Sequence, residues 1–347
     1  MLKLAAYGGT KVRKTPLLVE EHSKSRFGKE EKKAVAEVID SGHLCRVFGA
    51  KAKRFENEVS EYFNVSGAAV TTSGTAAIHC ALAAVGIGPG DEVITSPITD
   101  MGSVIPILAL NAIPIFADVD PKTYNITAET IKAVLTNRTK AVIPVHFIGQ
   151  SCVMEPILHL AKKHNIYVIE DCAQSYLSTC SGRLVGTMGD MGCFSLNDFK
   201  HITCGDGGFV ISNNKDLISR ARLFADKGYT RTEAVRNSVL FGLNYRISEL
   251  QAAVASVQLK KLASIIERRR NFARKLDNLL EHMEGINTPF IEDGIEHSFW
   301  LYPFNIDENK LGVNAETFAR EVTAEGIPIP FPYIGLPIYL YDPLKNK

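Results

Sequence analysis

Between residues 67 and 225 short apolar runs alternate with amphipathic stretches, and this alternation constrains the fold more than any other feature of the chain. A buried strand opens at Gly67 and ends in the turn Ser73-Gly74-Thr75. Further strands are expected at Glu92 to Thr95, Ile113 to Ala117, Ala141 to Val145, Ile166 to Ile169 and Gly208 to Ser212. Helices are expected between them at Ala76 to Val85, Ser103 to Leu110, Ala128 to Leu135, Met154 to His164 and Lys215 to Phe224. The strands are β-branched and lack polar alternation, so both of their faces are covered, as in a largely parallel sheet with helices on either side. In such sheets ligands sit beyond the C-terminal ends of the strands. Ser73, Asp100, Asp118, His146 and Asp171 all fall at or just past such ends.

The flanking sequence differs in character. Lys29 to Ile39 and Lys51 to Phe63 read as helices, the first stopped by Ser41-Gly42, the second carrying Phe55, Val59 and Phe63 on one face. Ser248 to Leu280 reads as one long charged helix with Ile247, Leu250, Val254, Val257 and Leu262 marking its apolar stripe. From Ser298 a strand-like run to Ile306 and a helix from Ala315 to Glu325 suggest a smaller α+β unit, before a Pro- and Tyr-rich end. A length of 347 residues favours two domains.

Charge excludes some functions. With 39 basic and 38 acidic residues the net charge is +1, which gives no support for a nucleic-acid or anionic-membrane partner. No apolar run approaches a membrane span, and the N-terminal apolar stretch is short for a secretory signal. The 7 cysteines form no CxxC pair and lie in mostly apolar or small surroundings, so reduced thiols and a cytoplasmic location are expected.

The chemistry concentrates around Lys200. It stands five residues after Ser195 and just before the turn Gly205-Asp206-Gly207-Gly208, and Asp171 closes an apolar strand twenty-nine residues upstream. A lysine and an acid so placed are what pyridoxal 5'-phosphate (PLP) chemistry needs: the amine forms a Schiff base, the acid pairs with the pyridinium nitrogen. Such a lysine must be partly deprotonated near neutral pH, which requires desolvation or a cationic neighbour. Taken alone, Asp171 also reads as a helix cap or an ion-pair partner, and Lys200 as a solvated surface lysine. Ser73-Gly74-Thr75, ending a strand and opening a helix, offers free amides, two hydroxyls and close backbone approach to an anion, or is a plain N-cap. Gln174 can hydrogen-bond a cofactor ring oxygen or be a surface amide, and His146 can line the site or be a satisfied core histidine. There is no GxGxxG, no P-loop, no HExxH and no Gly-x-Ser-x-Gly elbow, so dinucleotide, nucleotide-triphosphate, metal-centred and serine-hydrolase chemistry lack their usual anchors.

With these residues assembled, the chain resembles the DegT/DnrJ/EryC1/StrS family of PLP-dependent sugar aminotransferases. The matching segments run from Tyr7-Gly8-Gly9-Thr10 to the 320s. They include Thr72-Ser73-Gly74-Thr75-Ala76-Ala77, Gly88-Pro89-Gly90-Asp91-Glu92-Val93, Phe116-Ala117-Asp118-Val119-Asp120, Glu170-Asp171-Cys172-Ala173-Gln174 and Gly242-Leu243-Asn244-Tyr245-Arg246. The resemblance implies a type I aminotransferase fold: a large α/β domain built on a mostly parallel seven-stranded sheet, over 1–245 with an N-terminal helical arm, and a small α+β domain over 246–347. It implies a homodimer with shared active sites. By position Lys200 and Asp171 match the catalytic lysine and acid, and Gln174 the contact to the ring oxygen. Ser73, Gly74, Thr75 and Ser195 match the phosphate cradle, and Asn244 the residue reaching the neighbouring subunit's cofactor phosphate.

Departures from the pattern accompany it. Asp100, in Ser96-Pro97-Ile98-Thr99-Asp100-Met101, occupies the place where the family carries a ring-stacking aromatic or histidine, which leaves Met101 or a distant residue to stack. Asp206 replaces the more usual glutamate, and the sequence stops where the family's small domain continues, so a truncated small domain is expected. A related dehydratase branch has histidine at the lysine position, so Lys200 argues for transamination. The expected activity is transfer of an amino group from glutamate or glutamine to a nucleotide-linked keto-sugar or a keto-cyclitol. The alternatives are a non-catalytic PLP- or sugar-nucleotide-binding regulator and a PLP-dependent dehydratase or synthase on the same scaffold.

Overall fold

The computed structural model describes residues 3–15, 25–231 and 237–345. Two helices lead in, α1 (Lys29–Ser41) and α2 (Lys51–Phe63). The carboxylate of Glu31 accepts from the Gly28 amide at 2.7 Å to start α1, and Gly42 at φ 70° ends it. Then β1 (Gly67–Thr71), α3 (Gly74–Ala84), β2 (Glu92–Thr95), α4 (Ile105–Ala109), β3 (Ile113–Phe116), α5 (Ala128–Val134), β4 (Thr139–Ile143), α6 (Met154–His164) and β5 (Tyr167–Asp171) follow in turn. The series closes with β6 (Met191–Ser195), β7 (Gly208–Ser212) and α7 (Lys215–Ala225), and the long α8 (Glu249–Leu280) leaves it.

The large sheet has seven strands in the order β1-β7-β6-β5-β4-β2-β3. Only β7 runs against its neighbours, pairing antiparallel with β1 and β6, while the remaining pairs are parallel. The C-terminal ends of β1, β2, β5 and β6 therefore open on one edge, which brings Ser73, Asp100, Asp171 and Ser195 to the same side. The core lies on both faces of the sheet. One face packs Phe55, Val59 and Phe63 of α2, Leu259 and Leu262 of α8, and the stacked rings of Phe194 and Phe209, 4.8 Å apart. The other packs Ala77, Ala81 and Leu82 of α3 and Leu217, Ile218 and Ala221 of α7.

Most expected elements of the alternating region are present within a residue or two, and four readings along the chain need correction. No strand was expected at Met191–Ser195, yet β6 lies between β5 and β7. Gly192 obscures its pattern, and the strand needs glycine there because a Cβ would come within 2.4 Å of the Gly186 backbone. The buried stripe of α8 is Ala252, Ala255, Leu259, Leu262 and Ile266, whereas Leu250, Val254 and Val257 are only half-buried. Small residues let the helix approach α2 and α1 closely, so the larger apolar residues fall to its flank. The run from Ser298 is irregular until the short strand Asn305–Ile306, because its backbone amides serve the site described below. The helix expected at Ser103 to Leu110 is a 3-10 turn at Met101–Ser103 followed by α4, with Pro106 in its first turn.

Removing one of the two stacked rings leaves a cavity under the sheet. Phe209→Ala is expected to destabilise the fold by about 3–5 kcal/mol, measured by denaturant unfolding with unchanged slope.

Candidate active site

The strand ends converge on a cavity of about 280 Å³ lined by Ser73, Gly74, Thr75, Asp100, Gly102, Ser103, Asp171, Gln174, Ser195 and Lys200 among others. Of the residues singled out in the sequence, Asn244 lies apart, exposed and bridged to Asp226, and Asp118, His146 and Met101 do not line the cavity either.

The floor is Asp171. Its backbone is locked between strands, donating to Pro144 O at 2.9 Å and accepting from His146 N at 3.0 Å. Its side chain is buried and accepts from Ser103 Oγ at 2.7 Å and from Ala173 N at 3.1 Å. Burial pushes this carboxyl above the ordinary carboxylate range, against the pull of those two donors and of the Lys200 charge. Ser103 reaches it because Asp100 caps the 3-10 turn, accepting from Gly102 N at 2.8 Å, and Thr99 Oγ1 lies 2.7 Å from Ser103 Oγ.

The rim is the start of α3. Ser73 Oγ caps the helix by accepting from Ala76 N at 3.0 Å, so its hydroxyl acts locally as the N-cap. The amides of Gly74 and Thr75 begin the helix without intrahelical acceptors. A Cβ on Gly74 would lie 2.7 Å from Ser195 Cβ, so only glycine leaves the cradle open here.

Lys200 is half-buried, and burial holds its amine below the ordinary lysine value, with Asp171 and Asp100 opposing the shift. Its Nζ rests 4.4 Å from the centre of the Trp300 ring. Beside it, Gln174 accepts from Ile148 N at 2.8 Å and its amide nitrogen is 3.4 Å from Tyr333 Oη. The Tyr333 ring stands edge-on to Trp300 with centroids 5.5 Å apart. Burial, then the Asp100 charge, raise the Tyr333 phenol. Ile148 has φ 58°, a strained setting for a β-branched residue. Its carbonyl holds the amide of Trp300 at 3.0 Å, which ties Gln174 to the aromatic wall.

Two sequence alternatives are decided. His146 is a satisfied core histidine: Nδ1 accepts from Cys152 N at 3.0 Å and Nε2 faces the buried Glu170 carboxylate at 3.0 Å. Glu170 in turn accepts from the amides of Gly186, Met188 and Gly189. His146, Glu170 and Cys172 cluster, but the ligand atoms of His146 and Glu170 are engaged in these bonds and Cys172 Sγ donates to Glu170 O at 3.7 Å. Asp100 does line the cavity, whereas Met101 does not. Sequence reasoning missed Trp300, Tyr333 and the role of Ser103. The one available signal was that Trp300 is the only tryptophan of the chain.

The family model of the DegT/DnrJ/EryC1/StrS aminotransferases matches residues 25–347. The chain belongs to that family. It is 37% identical over 296 residues to the spore coat polysaccharide biosynthesis protein SpsC of Bacillus subtilis (strain 168), covering 83% of this chain and 76% of SpsC. It is 33% identical to a GDP-perosamine synthase of Caulobacter vibrioides, covering 92% of this chain and 87% of the synthase. Among solved structures, an aminotransferase from Psychrobacter cryohalolentis superimposes with a TM-score of 0.86 at 32% identity, covering 92% and 86% of the two chains. The fold is thus that of a PLP-dependent aminotransferase, and PLP is its cofactor. The cavity fits that group on its own terms. A buried carboxylate that makes no ion pair among the described residues forms the floor, a helix start with a glycine-cleared face forms the rim, and a lysine lines the same cavity.

The charged form of Lys200 is disfavoured in the fold, so this penalty is full below its folded pKa and fades as pH rises toward the ordinary lysine value. In reductive methylation followed across pH by mass spectrometry, Lys200 of the folded protein is expected to show a lower midpoint than Lys200 of the urea-unfolded chain. Equal midpoints in the two states contradict the desolvated setting.

Proposed function

We propose that this chain transfers an amino group from glutamate or glutamine to the carbonyl of a nucleotide-linked keto-sugar, with a keto-cyclitol as the alternative acceptor. The observation that carries this reading is the Lys200 amine and the buried Asp171 carboxylate meeting in one cavity beneath the open start of α3. Bound there, PLP supplies an electron sink beside the carbon that bears the amino group.

The chain's own residues then have distinct tasks. Gly74 and Thr75 amides, with Ser73 and Ser195 hydroxyls, hold the phosphate dianion, favoured by the positive end of the helix. Asp171 keeps the ring nitrogen protonated, and that cation returns its own carboxyl toward the ionised form. Gln174, fixed through Ile148, presents its amide nitrogen toward the ring oxygen. Lys200 would take the proton from the amine-bearing carbon of the donor and return it to the carbon on the far side of the shared nitrogen, acting as base and then acid. Run in reverse on the acceptor ketone, the same transfers complete a ping-pong cycle. Burial lowers the Lys200 amine from its ordinary value, which is the direction a general base requires.

The unit proposed for this work is a cytoplasmic homodimer. Supporting it, Leu250, Val254 and Val257 form a half-exposed apolar stripe on α8, and Asn244 stands exposed, outside its own chain's cavity. Asn244 is assigned to the phosphate of the neighbouring subunit. Residues 1–245 are assigned to the cofactor-binding domain and 246–347 to the small domain. No described helix is long and apolar enough to cross a membrane.

With added PLP the protein is expected to develop a visible absorption band that borohydride fixes covalently on Lys200. Lys200→Ala is expected to keep its melting temperature and lose both the fixed label and turnover. Amino-sugar formation from glutamine and a nucleotide-linked keto-sugar completes the test. Elimination products without amino transfer would favour a dehydratase, and a bound cofactor without any product would favour a regulator.

A further inference from the structure

The backbone around Lys200 is held in an unusual way. Four consecutive carbonyls, those of Asp198, Phe199, Lys200 and His201, accept from just two side chains remote in sequence. The Arg26 guanidinium donates to Asp198 O, to Lys200 O at 2.6 Å and to His201 O at 3.4 Å. Trp300 Nε1 donates to Phe199 O at 2.7 Å. The same indole ring carries the Lys200 amine on its face.

We infer that Arg26 and Trp300 are positioning residues that together fix the Lys200 loop and aim its amine into the cavity. This rests on the reading of Lys200 as the residue that captures PLP.

The physical case starts from what the loop lacks. Residues 197–206 form neither helix nor strand, so no regular ladder holds these carbonyls. Within the loop, Lys200 N donates to Asn197 O at 2.9 Å and Phe199 N to Asn197 Oδ1 at 3.2 Å, which turns the chain without tethering it. A planar guanidinium with five donors can bind several carbonyls at once, which a lysine ammonium does less well. Arg26 is partly buried, and among the described residues it makes no ion pair with a carboxylate, so its donors serve the loop. Trp300 is itself clamped: Ile148 O accepts its amide at 3.0 Å, and Arg269 donates to its carbonyl at 3.0 Å. A rigid ring therefore sets both the height of the loop and the direction of the amine. The groove of about 970 Å³ behind Trp300 is lined by Arg26, Arg268 and Arg269. Two of these guanidiniums are already engaged with backbone carbonyls, Arg26 with those of the Lys200 loop and Arg269 with those of Phe299 and Trp300, and form no ready anion site.

A built-in comparison exists in Arg270, which donates to His297 O at 3.0 Å and Leu177 O at 2.7 Å, clamping backbone that does not carry Lys200. The experiment compares wild type, Arg26→Gln, Arg26→Lys, Trp300→Phe and Arg270→Gln. Each is mixed with PLP, quenched with borohydride at intervals, and scored by peptide mass spectrometry for label on Lys200, with melting temperature recorded alongside. Misplacing a reacting group by about 1 Å costs on the order of a hundredfold in rate. Arg26→Gln and Trp300→Phe are accordingly expected to slow capture by about tenfold or more. Trp300→Phe keeps an aromatic face and loses only the N–H donor. Arg26→Lys is expected to fall between wild type and Arg26→Gln, and Arg270→Gln to capture at the wild-type rate even if it melts lower. Capture by Arg26→Gln and Trp300→Phe at the Arg270→Gln rate overturns the clamp. Should Arg26→Gln fail to fold, Arg26→Lys and Trp300→Phe decide alone. Failure of the wild type to label Lys200 overturns the underlying reading instead.

Discussion

A carboxylate buried at the end of a parallel strand is the constraint around which the rest of this site is arranged. Asp171 is buried, and among the described residues its side chain accepts from Ser103 Oγ and Ala173 N and makes no ion pair. Keeping such a group in place is costly unless a positive charge arrives. The neighbouring parts of the chain are organised to hold the acid and to receive that charge. Thr99 and Ser103 fix its oxygen, the Asp100 cap fixes Ser103, and β4 and β6 lock its backbone from either side.

The second element is the lysine, which regular structure does not hold. Its loop leaves the end of β6 and returns as β7, the one strand that runs against its neighbours. Holding that loop falls to residues far along the chain, Arg26 before the sheet begins and Trp300 after α8. The C-terminal part of the chain thus reaches the site through Trp300 against Lys200 and Tyr333 against Gln174, with the strained Ile148 as the link between them. At the cavity edge stands a carboxylate, Asp100, and the rings nearest the site, Trp300 and Tyr333, come from far along the chain.

Much of this was legible beforehand. The alternation of strands and helices, the strand ends carrying Ser73, Asp100 and Asp171, and the placement of Ser195 and Lys200 all follow from local pattern. They are legible because a parallel strand buried on both faces must be apolar throughout, and its polar residues can begin only where it ends. The strand Met191–Ser195 escaped notice because its glycine answers to the backbone of Gly186 rather than to strand propensity. The face of α8 was misplaced because close helix packing selects alanine, which carries little hydrophobic signal.

The sequence by itself determined the sheet, the acid, the lysine and the helix start that face one another, since each depends on neighbours within a few residues. Only the tertiary structure decided that His146 belongs to the core, that Ser103 holds Asp171, and that Arg26 and Trp300 hold Lys200. Those outcomes rest on hydrogen bonds between groups separated by 101 to 175 residues in the case of the lysine loop. A side chain's type states which bonds it can make. Which partner it meets is set by how the layers pack, and that is written nowhere in the local pattern.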